Sequence, residues 1–255
     1  MRLKDKVAIV TGANSGIGKA IAERFAAEGA HVAVNYRERA NNAEVAAQIV
    51  KSFPTEGIAV AGDVSKREDV ERMITQVVAK FGRLDIAVSN AGMEIKKPFL
   101  EITDDEWNKV LSVNLYGSFL VAQAAGRQLV KQGPGGRIIF ISSVHEDIPF
   151  PQYAPYCASK GGVRMLMRNA AIELAPYKIT CNDIAPGAIA TPINQSVLQD
   201  PEAMKNALEE IPLGRFGRPE EVASVAVFLA SDEADYVTGS TYYIDGGLTQ
   251  QVTKY

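Results

Sequence analysis

The sequence predicts an α/β protein, a single domain built on a doubly wound parallel sheet, and three observations carry that expectation. Short β-rich runs alternate with helical stretches along most of the chain. A glycine-rich turn joins the first of these runs directly to an amphipathic helix. Finally, 255 residues at 47% apolar content can bury one sizeable core, a length at which one domain is favoured over two. No linker or internal repeat divides the chain.

The first run is Val7 to Val10 in VAIVTGANSGIGKAIAERFAAEG. Ile17, Ile21 and Phe25 then recur at i, i+4 and i+8, the spacing of one helix face. Six further runs (HVAVNY, IAVAGDV, LDIAVSNAG, GRIIFISS, ITCNDIAP and STYYIDGG) each follow a helix candidate. Strand, helix, strand in that order requires a parallel sheet with crossover helices. Val70, Ile74, Val77 and Phe81 mark a helix that stops near Gly82, and Thr103 with Glu106 marks the start of another by a capping box. Between Gly161 and Leu174, the residues Met165, Leu166, Met167, Ala170 and Ala171 put apolar groups on more than one face, as a helix packed against a second subunit would. Residues 188–218 carry few strand signals and are punctuated by Pro192, Pro201 and Pro212, with Pro219 directly after, which predicts a helical lid.

Composition removes several function classes. A net charge of −3 without a basic tract argues against nucleic acid or an anionic membrane as partner. No apolar run approaches membrane-spanning length, and MRLKDKVAIV leads straight into the first strand, so a cytoplasmic location is expected. Cys157 and Cys181 are too few for a disulfide framework, and His31 and His145 form no metal-binding pair, so no catalytic metal is expected.

Gly12, Gly16 and Gly18 stand where a side chain would keep a pyrophosphate from the backbone N–H groups and the helix N-terminus. Their spacing is GxxxGxG. In open α/β sheets ligands bind beyond the carboxyl ends of the strands, and those ends hold Asp63 and Val64, Asn90, Ala91 and Gly92, Ser142 and Ser143, and Pro186 and Gly187. Asp63 can accept a hydrogen bond from an adenine amino group, and the small residues of NAG leave room for a ribose and ring. Tyr156 and Lys160 lie one turn apart if helical. A free tyrosine has a pKa of about 10, and a neighbouring ammonium is expected to lower it into the range of a useful base. Ser143, from another strand, would hold the reacting oxygen.

Through TGANSGIG, DV, NAG, SVN, SS, YCASK, PG and DGG, in that order, the chain resembles the short-chain dehydrogenase/reductase family over essentially its whole length. The resemblance implies a Rossmann-like domain over residues 1–255, with a dinucleotide-binding half at about 1–150 and a catalytic and substrate half at about 140–255. It implies Tyr156 as general acid/base, Lys160 as its modulator and a ribose contact, Ser143 as the substrate-oxygen ligand, and Asn114 as part of a proton relay. It adds Asn14, Ser15 and Ile17 to the glycine turn, with Ile189 and Thr191 at the carboxamide end of a nicotinamide. The reaction implied is hydride transfer between that ring and a carbon bearing oxygen.

Tyr36 stands where an NAD-selective member usually carries aspartate, and Arg37 follows it. Use of both NADP and NAD is expected. SSVHEDIPFPQYAPY, GME and PGAIATPIN resemble the bacterial glucose 1-dehydrogenases within the family, which implies Glu94 and His145, with Ser143 and Tyr156, as substrate contacts. A carboxylate beside an imidazole suits the adjacent hydroxyls of a sugar. The expected reaction is oxidation of β-D-glucose at C1 by a homotetramer. A carbonyl or 3-oxoacyl carrier-protein reductase is the alternative, and a non-catalytic dinucleotide sensor a remote one. Ser89, Phe150, Gln152 and Pro155 depart from the closest resemblance and bear on substrate choice.

Overall fold

The computed structural model describes residues 1–39 and 41–250. Its elements run β1 (Val7–Val10), α1 (Gly16–Ala27), β2 (His31–Tyr36), α2 (Asn42–Lys51), β3 (Gly57–Ala61), α3 (Arg67–Phe81), β4 (Ile86–Ser89), α4 (Asp104–Leu111), α5 (Gly117–Gln132), β5 (Gly136–Ile141), α6 (Ala154–Leu174), β6 (Ile179–Pro186), α7 (Gln195–Gln199), α8 (Pro201–Glu209), α9 (Pro219–Ala230) and β7 (Thr241–Ile244). The seven strands form one sheet in the order β3-β2-β1-β4-β5-β6-β7, every pair parallel. β1 is flanked by β2 and β4, so the winding reverses between β1 and β4 and opens a crevice at their carboxyl ends.

The strands are apolar on both faces because helices cover both. Ala8 and Val10 of β1 point to one side, packing with Ile21 and Phe25 of α1 and Val222 and Val227 of α9. Val7 and Ile9 point to the other, toward Val70, Met73 and Val77 of α3 and Leu120 and Val121 of α5. Gly82 ends α3 at φ 80 in the left-handed conformation, and Thr103 and Glu106 complete the capping box of α4.

On α6, Val163, Met167 and Ala171 face the core, whereas Met165 and Ile172 are 55% and 75% exposed. Of the apolar residues read in the sequence, Leu166 and Ala170 also pack against this core, and Met165 alone lies outside it. Residues 188–218 fold into a short 3-10 turn, Pro192–Asn194, followed by α7 and α8. No residue of either helix is fully buried. None of the described helices is long and apolar enough to cross a membrane.

Candidate active site

The glycine turn is held in shape by side chains from three strand ends. Asn35 of β2 accepts a hydrogen bond from the Gly12 N–H at 3.1 Å and donates to the Gly62 carbonyl at 3.1 Å, tying the turn to the end of β3. The Thr11 hydroxyl accepts from the N–H groups of Asn90 and Ala91 at 2.9 and 3.1 Å. In return the Asn90 amide donates to the carbonyls of Thr11 and Gly12. Asn90, expected at the nucleotide site, lines the cleft beside this turn, and its amide is spent bracing the turn. Gly12 sits at φ +60, which a side chain rarely allows. Gly18 serves packing: a Cβ there would lie 2.4 Å from Asn90 Nδ2 and 2.6 Å from the Gly12 carbonyl.

These elements enclose a cleft of about 360 Å³ lined by the glycine turn, Asp63, Val64, Ala91, Gly92 and Thr191. The first turn of α1 carries no acidic residue, and Ser15 makes no side-chain cap, so its amides stay open to an anion. Arg37 and Arg39 lie at one end. Tyr36 does not line the cleft and packs against the core. Arg37 is 3.8 Å from Asp63. Partial burial works against the Asp63 carboxylate, but hydrogen bonds from Ser65 and the Arg37 charge together hold its pKa below the usual range. Neither Asn35 nor Arg39 was singled out from the sequence. Asn35 could have been noticed as the polar residue of an otherwise apolar strand run.

Pro186 ends β6, and Gly187 donates its N–H to the Ile244 carbonyl at 3.0 Å. A Cβ on Gly187 would meet Asp245 at 2.9 Å. The Ile189 side chain is buried. A bridge to Gly217 uses the Ala188 carbonyl and the Ala190 N–H, so the Ile189 N–H takes no part in it.

Next to Gly92, where an added Cβ would lie 3.8 Å from Lys160 Nζ, α6 begins with Pro155 in its first turn and presents Tyr156 and Lys160 one turn apart. Lys160 Nζ donates to the Ile141 carbonyl at 2.9 Å and lies 5.5 Å from the centre of the Tyr156 ring. Ser143 precedes a 3-10 turn, Val144–Glu146, and its hydroxyl accepts from the His145 N–H at 3.2 Å. Asn114 sits in a π-helical turn, Ser112–Tyr116, between α4 and α5, a widening that often marks a functional site. Its side chain is fully engaged: Oδ1 accepts from Met93 N–H at 2.8 Å, and Nδ2 donates to Met93 O and Ser159 Oγ.

One expectation is overturned. Lys160 was expected to lower the Tyr156 pKa, but burial pushes the phenol far above its ordinary value. The Ser143 hydroxyl pulls the other way, and the Glu94 carboxylate reinforces the rise. Burial also lowers the Lys160 ammonium to about 8, against the support of Asp183, Glu146 and Glu94. Desolvation disfavours the charged form of each and is the largest influence on both.

Glu94 and His145 are brought to this end. Burial raises the Glu94 carboxyl, and Lys160 offsets part of that. His145 stacks on Phe150 with ring centres 4.2 Å apart and stands edge-on to Tyr156 at 6.3 Å. Burial lowers the imidazole, while its Nδ1 contact with the Ile148 carbonyl at 3.3 Å favours the charged form. With Nδ1 so engaged, Nε2 remains for a substrate. Phe150 stacks in turn on Tyr153, an aromatic wall that the sequence reading did not anticipate. The Lys97 N–H bonds the Gln152 carbonyl at 2.8 Å, linking the Glu94 loop to this rim. Burial raises the Cys157 thiol, so it is no reactive thiolate.

A family profile described as enoyl-(acyl carrier protein) reductase matches residues 12–249. The chain belongs to the short-chain dehydrogenase/reductase family. It is an NAD(P)-dependent oxidoreductase of that family, acting on a small molecule. It is 44% identical to 3beta-hydroxysteroid dehydrogenase 1 of Eggerthella lenta, over 97% of this chain and 95% of that one. Identity to glucose 1-dehydrogenase 2 of Bacillus subtilis is 41%, over 97% and 96%. Among solved structures, a gluconate 5-dehydrogenase from Burkholderia cenocepacia in complex with NADP and tartrate superposes with a TM-score of 0.91 at 36% identity, covering 98% of each chain.

Proposed function

We propose that this dehydrogenase oxidises β-D-glucose at C1 to D-glucono-1,5-lactone, using NADP or NAD. The observation that carries the reading is the placement of Glu94 and His145 around the Ser143 and Tyr156 hydroxyls. A half-buried carboxylate and a neutral imidazole there match the donor and acceptor pattern of neighbouring sugar hydroxyls. Relatives named glucose 1-dehydrogenase support it.

The cofactor fits the residues present. A Cβ on Gly16 would fill the space toward Thr191, 3.4 Å away, on the line a pyrophosphate needs. Gly12, Asn14, Ser15, Ile17 and Gly18 would hold the diphosphate, Asp63 and Val64 the adenine, and Ala91 and Gly92 the ribose. Pro186, Gly187, Ile189 and Thr191 would border the nicotinamide. Arg37 and Arg39 beside Tyr36 favour a 2′-phosphate, while Asp63 leaves NAD usable. When bound, the oxidised nicotinamide supplies the hydride acceptor and a positive charge.

Ser143 donates to the C1 oxygen and fixes its position. Tyr156 takes the C1 hydroxyl proton as the carbon gives up hydride, and the Lys160 ammonium stabilises the phenolate required for that. Asn114 holds the Met93 loop and Ser159 next to Lys160, and would help hold a water that carries the proton from Lys160 to solvent. Residues 188–218 close over the sugar. The exposed apolar stripe of Met165 and Ile172 supports assembly into a homotetramer.

A second reading rests on the aromatic wall of His145, Phe150 and Tyr153, which would also suit a secondary alcohol on a flat apolar skeleton, such as a hydroxysteroid. Steady-state kinetics of the Glu94→Ala/His145→Ala double variant separate the two. Loss of at least about tenfold in kcat/KM for glucose, with steroid turnover kept, supports the sugar pocket. Unchanged glucose kinetics would sink it.

A further inference from the structure

A second group of ionisable side chains packs against Lys160, and the chemistry above makes no use of it. Asp183, in β6, has no solvent exposure, and the Glu146 side chain, at the end of the 3-10 turn after Ser143, has none either. Asp183 Oδ2 accepts from Ser142 Oγ at 2.8 Å and Thr241 Oγ1 at 3.5 Å. Glu146 Oε1 accepts from the Tyr243 hydroxyl at 3.4 Å and faces Arg164 Nε at 3.3 Å. One oxygen on each, Asp183 Oδ1 and Glu146 Oε2, has no donor.

The two carboxyl groups are within hydrogen-bonding reach of each other. Two buried carboxylates this close do not both ionise, and a buried acceptor without a donor is costly. A single proton between Asp183 Oδ1 and Glu146 Oε2 satisfies both orphaned atoms at once. Arg164 sits beside Glu146 and not beside Asp183, which places the proton on Asp183. In accord with this, burial first, and then Glu146, push the Asp183 carboxyl well above the carboxylate range. The surrounding charged and titratable groups are Lys160 and Arg164 from α6, Asp147 beside Glu146, Tyr243 from β7 and Glu94 from the loop after β4.

We propose that Asp183 and Glu146 form a buried acid–carboxylate pair carrying one negative charge at neutral pH, and that this pair is the counter-charge that keeps Lys160 an ammonium. They are positioning residues that act through Lys160. Their part in turnover rests on the reading of Lys160 as partner to Tyr156, but the pair itself does not.

Asp183→Asn, Glu146→Gln and the double variant test it, because amides preserve shape and hydrogen bonding. Infrared spectra of protein labelled with ¹³C-aspartate should show a protonated carboxyl band at neutral pH that Asp183→Asn abolishes. Carbon NMR of labelled lysine, assigned with Lys160→Met, then follows the ammonium. Each single variant retains one negative charge, so the Lys160 midpoint moves little. The double variant retains none, and the midpoint falls by about one unit or more, an approximately tenfold change in the charged fraction, with the alkaline limb of kcat/KM moving by the same amount. Absence of the carboxyl band, or a double variant that titrates like the parent, overturns the proposal. An intact band and shifted lysine midpoint, with an unmoved pH–rate profile, would instead count against the catalytic reading of Lys160.

Discussion

The nucleotide end of the cleft is made of main chain: open amides at α1, glycines at Gly12 and Gly16, and a brace of neutral side chains from Thr11, Asn35 and Asn90. The catalytic end is made of ionisable side chains taken out of water, with Tyr156, Lys160, Glu94, His145 and Asp183 all shifted by burial. On the proposed reading the first region would bind by shape and by dipoles that pH does not alter. The second depends on protonation states that each neighbour helps to set, and substitutions in the two regions should fail in different ways.

The largest effect expected is at the catalytic end. Tyr156→Phe should lower kcat by about 10²–10⁴-fold, the range of a lost general base, with cofactor affinity by fluorescence titration nearly intact. A parallel loss of affinity would erase the distinction between the regions. At the nucleotide end, Gly18→Ala forces a Cβ against Asn90 and the Gly12 carbonyl. Overpacking of this kind costs about 1–3 kcal/mol, to be read in denaturant midpoints together with a weakened cofactor constant. Arg37→Ala/Arg39→Ala should raise the KM for NADP about tenfold, about 1.4 kcal/mol, while leaving NAD within a factor of two or so; equal loss on both cofactors would place the 2′-phosphate elsewhere. The smallest effect concerns His145. Its pKa is lowered, so the imidazole stays neutral until pH falls below its ordinary value of about 6.5. The KM for sugar should therefore be flat from neutral pH down to that point, and a rise above it would mean a charged imidazole.

The same contrast explains what the sequence made legible. The alternation of β-rich runs with helix candidates located every strand of the sheet, because burial on both faces writes a continuous apolar run such as VAIV, all of it buried. The glycine turn and the order of motifs gave the nucleotide cleft, since backbone conformation restricts residue choice locally. Spacing also placed Tyr156 and Lys160 on one turn of helix. It could not give their protonation, which depends on desolvation by elements far apart in the chain: Glu94 after β4, the turn at Val144–Glu146, and Asp183 in β6. For the same reason the net direction of the Tyr156 shift, set by burial, was missed, and the Asp183–Glu146 pairing went unread. Asn90 was read from its place at a strand end, but its inward hydrogen bonds belong to a tertiary contact with Thr11 that no local pattern records.

The most direct test of the account is the initial rate of nicotinamide reduction by the purified protein at saturating β-D-glucose, with NADP and NAD in separate assays and a 3β-hydroxysteroid alongside. The account predicts rapid reduction with glucose using either cofactor, and weak reduction with the steroid. No reduction with glucose while the steroid is turned over would contradict the sugar pocket assigned to Glu94 and His145, and would transfer the substrate reading to the aromatic wall of Phe150 and Tyr153.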